Sequence, residues 1–363
     1  KQIERGGFKT KAEAEAAAAK LYAELTDGTY VEESDITFEE FAKEWLSEYK
    51  TTVKTSTIRV RKHEIARLMD YFAKLKMRSI TRKKYQDALN DLKKRGYADN
   101  TIEGAHGTGR MIFKKAVEWR VIKTDPTQYA YVPKSQKTVE ELEQEKEVPN
   151  YLEKEELALF LRTAKDKGLE QDYPIFLTLA YTGMRVGELC ALKWSDIDFA
   201  EQTISITKTY YNPNNNTKKY KLLPPKTKES KRTIDVDPAV LDELEKHRAT
   251  QNKVRMRKRD TYHDKDFVFA DIKRYPGYPV YIKKIENRMA RLLKLAGLDE
   301  SLTPHSLRHT HTSLLAEARV NLETIMERLG HKDDETTRHV YLHVTKSQKK
   351  EASQKFAELM RSL

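Results

Sequence analysis

Thr303-Pro304-His305-Ser306-Leu307-Arg308-His309-Thr310 places a helix start and three basic side chains within eight positions. Proline locks φ near the helical value and lacks the N–H that a first turn leaves unsatisfied, so Pro304 marks the opening of a helix. On that helix His305 and Arg308 lie one turn apart on a shared face, and His305 and His309 are spaced to meet as well. Upstream, Thr182-Gly183-Met184-Arg185-Val186-Gly187-Glu188-Leu189 closes the apolar run Tyr173 to Tyr181 in a glycine-flanked turn that presents Arg185. Downstream comes Leu329-Gly330-His331, and Tyr341 follows ten residues later in Thr337-Arg338-His339-Val340-Tyr341. Spaced histidines can also begin a metal site. Here no Glu follows His305, as the paired-histidine zinc pattern requires, and a single cysteine, Cys190, excludes a cysteine framework.

Around these segments the chain reads as helix with a little sheet. Ile204 and Ile206 alternate inward along 203–211, Arg232 to Val236 reads as a return strand, and Phe267-Val268-Phe269 is a further candidate strand. Asn212-Pro213-Asn214-Asn215-Asn216 and Pro224-Pro225 interrupt the sheet region with turns. Apolar stretches at Leu152–Thr163 and Tyr173–Tyr181 predict buried helices, and after Phe269 the pattern is helical to the end. Residues 151–363 are thus expected to form a mixed α+β domain with a tail helix carrying Phe356, Leu359 and Met360. That tail either packs on its own domain or docks elsewhere.

Ahead of it, Thr37 and Glu40 have the capping-box spacing and introduce the stripe Phe38, Phe41, Ala42, Trp45, Leu46 and Tyr49. Three more amphipathic segments follow, at Thr57–Leu75, Thr81–Lys94 and Asn100–Trp119, which makes 37–132 an all-helical bundle. The proline-bounded, Glu-rich stretch 133–150 is a linker. Thr10 and Glu13 start an Ala-rich helix reaching Leu25, too short to be a domain by itself. The expected class is mainly α with a small antiparallel sheet.

With 68 Lys+Arg against 56 Asp+Glu in 363 residues, the formal net charge is +12, a balance that favours a polyanionic partner. Lys and Arg line the polar faces of the bundle. Lys54, Arg59, Arg61 and Lys62 are candidates for contact with a nucleic-acid backbone, with a plain solvated helix surface as the alternative for each. The basic run Lys253–Arg259 reads more simply as a solvated helix end. No apolar run approaches the roughly 20 residues of a membrane span, and no signal peptide, phosphate-binding glycine loop or nucleophile elbow is present. Membrane, disulfide-rich secreted, nucleotide-driven and α/β-hydrolase classes are excluded on these grounds, which leaves a cytoplasmic protein as the expectation.

Arg185, His305-x-x-Arg308, His331 and Tyr341, in that order, resemble the tyrosine recombinases, specifically the integrases of temperate phages and conjugative transposons, over about residues 37–350. The residue types suit phosphoryl transfer with no metal and no cofactor. Two guanidinium forks can hold the non-bridging oxygens of a phosphodiester as negative charge gathers there, and a phenol can serve as nucleophile. The resemblance implies that Arg185 and Arg308 hold the phosphate and that Tyr341 attacks it. It further implies that His305 assists proton removal, that His331 bonds the phosphate, and that Glu188 orients Arg185, with an ordinary structural ion pair as the alternative for Glu188. The family's general acid is a hairpin lysine. Lys226 in Pro225-Lys226-Thr227-Lys228 matches it best, with Lys228 as a rival; Lys228 and Lys231 are otherwise phosphate contacts.

The resemblance implies a bacterial, DNA-associated site-specific recombinase that integrates and excises a mobile element through a 3′-phosphotyrosyl intermediate and a Holliday junction. Its partners would be double-stranded attachment sites, three further copies of itself, and an accessory excision factor or host DNA-bending protein. Residues 1–30 would be a remnant of an arm-binding domain, its last strand edge and helix. A type IB topoisomerase-like enzyme and a non-catalytic DNA-binding regulator on the same fold are the alternatives.

Overall fold

A computed structural model describes residues 7–27, 34–134, 151–225, 227, 229–331, 335–345 and 360–361. The chain divides into two compact units, Lys1–Gln144 and Glu145–Leu363. The expected linker at 133–150 falls almost wholly outside the described residues, as do Lys226, Lys228 and most of the expected tail helix.

Among its described residues the first unit is mainly helical. α1 (Lys11–Thr26) is opened by Thr10, whose side chain accepts from the Glu13 amide, while the Glu13 carboxylate reaches back to the Lys9 amide at 3.0 Å. α2 (Phe38–Tyr49) carries the expected reciprocal box between Thr37 and Glu40, which satisfies two N–H groups that the first turn leaves over. α3 (Thr55–Phe72), α4 (Arg82–Lys94) and α5 (Asp99–Glu118) complete the bundle. Their apolar stripes meet in one core in which Phe38, Phe41, Leu68, Phe72, Tyr85, Leu89 and Phe113 are fully buried.

The second unit surrounds a larger core with α6 (Lys154–Lys167), α7 (Asp172–Thr182) and α8 (Val186–Ala191). Five short strands follow: β1 (Ile197–Asp198), β2 (Thr203–Ile206), β3 (Thr209–Tyr211), β4 (Lys221–Leu223) and β5 (Arg232–Asp235). The helices α9 (Pro238–Arg257), α10 (Ile282–Ala296), α11 (Pro304–Glu317) and α12 (Leu322–Leu329) come next, then a helix over 335–345, here α13. β2 lies between β1 and β5 in an antiparallel sheet, with Ile204 opposite Ile234. Ile204 and Ile206 are buried as the alternation predicts.

Two expectations for the sheet need correction. The segment 203–211 is two strands rather than one, because β3 leaves β2 and pairs with β4 in a separate two-stranded ladder. The break falls at Thr207-Lys208, where the Lys208 ammonium turns to the Asp196 carboxylate at 2.5 and 2.7 Å. Phe267-Val268-Phe269 is buried but bends at Val268 and Phe269, and its region forms single bridges, Lys193 with Phe267 and Ala270 with Pro279.

Candidate active site

Arg308 sits one turn into α11 and its side chain turns inward, only 2% of the residue being exposed. A buried guanidinium requires acceptors, since desolvation penalises every unmet donor. Nη1 donates to the Gly183 carbonyl at 2.7 Å, and Nη2 donates to the Leu329 carbonyl at 2.6 Å and to His331 Nε2 at 2.7 Å. Two segments distant in sequence thus converge on one side chain: the turn that precedes Arg185, and the end of α12 with His331 just beyond it. Because His331 Nε2 accepts from Arg308, its proton resides on Nδ1, which lies 3.0 Å from Thr337 Oγ1.

Gly183 ends α7 at φ +61°, and Arg185 then caps α8. Its backbone N–H donates to Glu188 Oε2 at 2.9 Å and its Nη1 donates to Oε1 at 3.0 Å. Glu188 is buried, and a second guanidinium serves it: Arg232 Nη2 donates to Oε2 at 3.0 Å. Burial pushes the Glu188 carboxyl up, but the charge and hydrogen bonds of Arg232, with those of Arg185, outweigh it and hold the group below its ordinary value. The carboxylate is therefore ionised, and it accepts from both the backbone and the side chain of Arg185. About a third of the Arg185 side chain remains open to solvent, at 36%.

His305 occupies the same α11 turn as Arg308 but faces solvent. Its ring meets His309 edge to face with centroids 4.8 Å apart. The expected shared face of His305 and Arg308 therefore straddles a core boundary, with His305 exposed and Arg308 buried. His311, third in that histidine group, is buried: Nδ1 donates to the Ala180 carbonyl at 2.9 Å and Nε2 accepts from Arg328 Nε at 3.1 Å. Burial, with Arg328 beside it, pushes this imidazole down to about 3, so it is neutral at physiological pH.

Tyr341 lies on α13, partly buried against a small cluster of Ala316, Ile325, Leu329 and Val344. Leu329, a member of that cluster, is also the residue whose carbonyl holds Arg308. Gly330 ends α12 at φ +70°, a backbone region that favours glycine, and lies so close to the 229–232 segment that a Cβ would come 3.0 Å from the Glu229 carbonyl oxygen. Lys231 is exposed and, with Arg232, Glu229 and His331, lines a groove of ≈ 780 Å³ between β5 and α12.

Among the remaining candidates, Lys54, Arg59 and Lys62 are exposed at the start of α3. Arg61 is not: its Nη1 donates to Glu64 at 2.7 Å and to Thr108 Oγ1 at 3.0 Å, within the first unit. In the basic run, Arg255 pairs with Asp264 and the Lys258 ammonium donates to the Ile272 and Lys273 carbonyls. Sequence reasoning missed Arg232 altogether. Its only signal was a basic residue opening a strand beside Lys231, in a chain with 68 lysines and arginines.

Residues 150–348 match the phage integrase family, and residues 37–93 match the phage integrase N-terminal SAM-like domain. The integrase of Staphylococcus phage L54a is 30% identical over 360 residues, covering 94% of this chain and 98% of its own length. Among solved structures, the Tn1549 transposon integrase in complex with transposon right end DNA superposes with a TM-score of 0.70 at 20% identity, covering 88% of this chain and 100% of that one. A lambda integrase tetramer bound to a Holliday junction gives a TM-score of 0.61 at 18% identity, covering 94% and 89%. The chain belongs to the phage integrase family of tyrosine recombinases.

Proposed function

We propose that this recombinase cuts and rejoins DNA at specific sites by Tyr341 attack on a phosphodiester, integrating and excising a mobile element. The observation that carries this reading is the convergence on buried Arg308 of the Gly183 carbonyl, which precedes Arg185, and of His331. Two guanidiniums and an imidazole so placed suit the charge that a trigonal-bipyramidal phosphorus gathers on its equatorial oxygens. In this reading a phosphate oxygen replaces His331 as an acceptor of the Arg308 N–H, and His331 donates to the phosphate only after its freed Nε2 takes up a proton.

The Tyr341 phenol gives its proton up to solvent with help from His305, and its oxygen bonds to phosphorus. The bond from phosphorus to the 5′ oxygen breaks, and that oxygen takes a proton from Lys226. The product is a 3′-phosphotyrosine and a free 5′ hydroxyl. Attack by a different 5′ hydroxyl reverses the step and joins exchanged strands, so the phosphodiester energy is conserved and neither ATP nor a metal ion enters. Lys226 and its rival Lys228 lie outside the described residues, and their role is carried by the resemblance alone.

Duplex attachment sites are the substrate in this reading, with Lys54, Arg59, Lys62 and Lys231 as exposed phosphate contacts and four copies acting on two sites, in keeping with the lambda tetramer on a Holliday junction. An excision factor or DNA-bending protein would set direction. Among the described residues no helix is long and apolar enough to cross a membrane. Strand exchange between two differently marked attachment sites in the presence of EDTA tests the reading. Recombinant, religated product is expected. Relaxed plasmid without exchange favours the topoisomerase alternative, and binding without cleavage favours the regulator.

A further inference from the structure

We infer that Arg232 is a positioning residue for DNA cleavage, holding Arg185 and His331 in register by bonding Glu188 and the end of α12 with one guanidinium. The inference rests on the recombinase reading above. The Arg232 side chain is 6% exposed, and each edge of its fork is engaged. Nη2 meets Glu188 Oε2 at 3.0 Å, Nη1 meets the Ser230 carbonyl at 3.1 Å, and Nε meets the Arg328 carbonyl at 2.7 Å. Glu188 is in turn the carboxylate that holds Arg185 through both its backbone and its side chain.

The Arg328 and Leu329 carbonyls are consecutive, and they belong to the last turn of α12, where helical carbonyls lack intrahelical partners and the dipole is negative. Arg232 takes the first and Arg308 the second. His331 leaves the helix directly after this doubly held end, through Gly330, whose α-carbon faces the Arg232 side chain closely enough that a Cβ would lie 3.1 Å from its Cδ. Two arginines therefore clamp the element that delivers His331. Arg308 belongs to the reacting cluster itself, whereas Arg232 stands behind it and links the clamp to Arg185.

Charge supplies a second reason. Glu188 is a buried carboxylate flanked by two cations. Without Arg232 its whole charge would fall on Arg185, drawing that guanidinium inward and in competition with a phosphate oxygen. A lysine at 232 keeps one positive charge but cannot span Glu188, the Ser230 carbonyl and the Arg328 carbonyl together, because it lacks the planar fork.

The test measures single-turnover covalent adduct formation on a nicked half-site at saturating DNA, with rates normalised to folded, DNA-bound protein and with DNA affinity measured separately. R232K is expected to bind DNA within about twofold of wild type and to form adduct at least about tenfold more slowly. R232Q is expected to be slower still, and adding E188Q to R232Q is expected to slow it no further, since the two residues act through one link. R232K reacting within twofold of wild type per folded molecule, whatever its melting temperature, would overturn the inference, as would R232Q and E188Q effects that simply multiply. Should R232Q not fold, R232K decides alone. Wild-type protein that forms no adduct overturns the recombinase reading itself, and Arg232's role with it.

Discussion

Arg308 Nη2 lies 2.7 Å from His331 Nε2, joining side chains 23 positions apart in a hydrogen bond that fixes the imidazole's tautomer. The same guanidinium holds the Gly183 carbonyl, so a buried cation ties these segments together. A buried fork of this kind is exchangeable only with groups that accept in its plane, which a phosphate oxygen does.

Arg308→Lys removes the fork while keeping the charge. Cleavage is expected to fall by about two orders of magnitude or more, as when one preorganised oxyanion donor is lost. DNA affinity, spread over many surface lysines and arginines, is expected to change little. Parallel adduct kinetics and gel-shift titrations check this, and an equal loss in both would place Arg308 in binding alone.

Gly330→Ala adds a Cβ where φ is +70° and where the Glu229 carbonyl oxygen would lie 3.0 Å away. The left-handed backbone costs about 1–2 kcal/mol for a residue with a side chain, and the close approach adds to it. A loss of about 1–3 kcal/mol in denaturant unfolding is expected, with slower cleavage because His331 and the 229–232 segment move together. Unchanged stability would mean that the turn relaxes freely.

His311 gives stability a pH dependence whose sign follows from its depressed value. The unfolded chain takes up a proton as pH falls through 6.5, the folded chain only near 3, so stability is complete above 6.5 and declines toward 3. One such group contributes a slope of about 1.4 kcal/mol per pH unit across that window. Urea unfolding of wild type and His311→Asn at pH 5 and pH 7 reads it directly. The variant is expected to lose less stability than wild type between the two pH values.

Much of this architecture is legible in the sequence because local rules and global packing agree. Pro304 opens α11, Thr37 and Glu40 close their box, and Gly183 and Gly330 stop their helices in the left-handed conformation. Arg308 and His331 meet directly, and Arg308 also holds the Gly183 carbonyl two residues before Arg185; each of the three residues adjoins one of those stops or starts. What was not legible depends on tertiary packing. Helical spacing places His305 and Arg308 side by side but does not say that the core boundary runs between them. Arg232 looks like any other basic residue until Glu188 and the Arg328 carbonyl are brought to it. The split of 203–211 falls beside the Lys208–Asp196 pair, which strand alternation does not reveal.

Salt reports on the proposed nucleic-acid contacts. If exposed residues such as Lys54, Arg59, Lys62 and Lys231 neutralise phosphates, binding weakens steeply and log-linearly with salt, and each charge removed lowers the slope by about one. Arg61→Gln is expected to leave that slope unchanged and to lower stability instead, because its guanidinium is bound to Glu64 and Thr108. A reduced slope for Arg61→Gln would return it to the DNA-contacting set.

The nucleophile is the central claim, and mapping the covalent bond tests it most directly. Wild-type protein incubated with a nicked half-site in EDTA, digested and analysed by mass spectrometry, should carry the nucleotide adduct on the peptide containing Tyr341. Tyr341→Phe should bind the same DNA with near-normal affinity and form no adduct. An adduct on any other residue, one that persists in Tyr341→Phe, or one that appears only with magnesium would contradict the account.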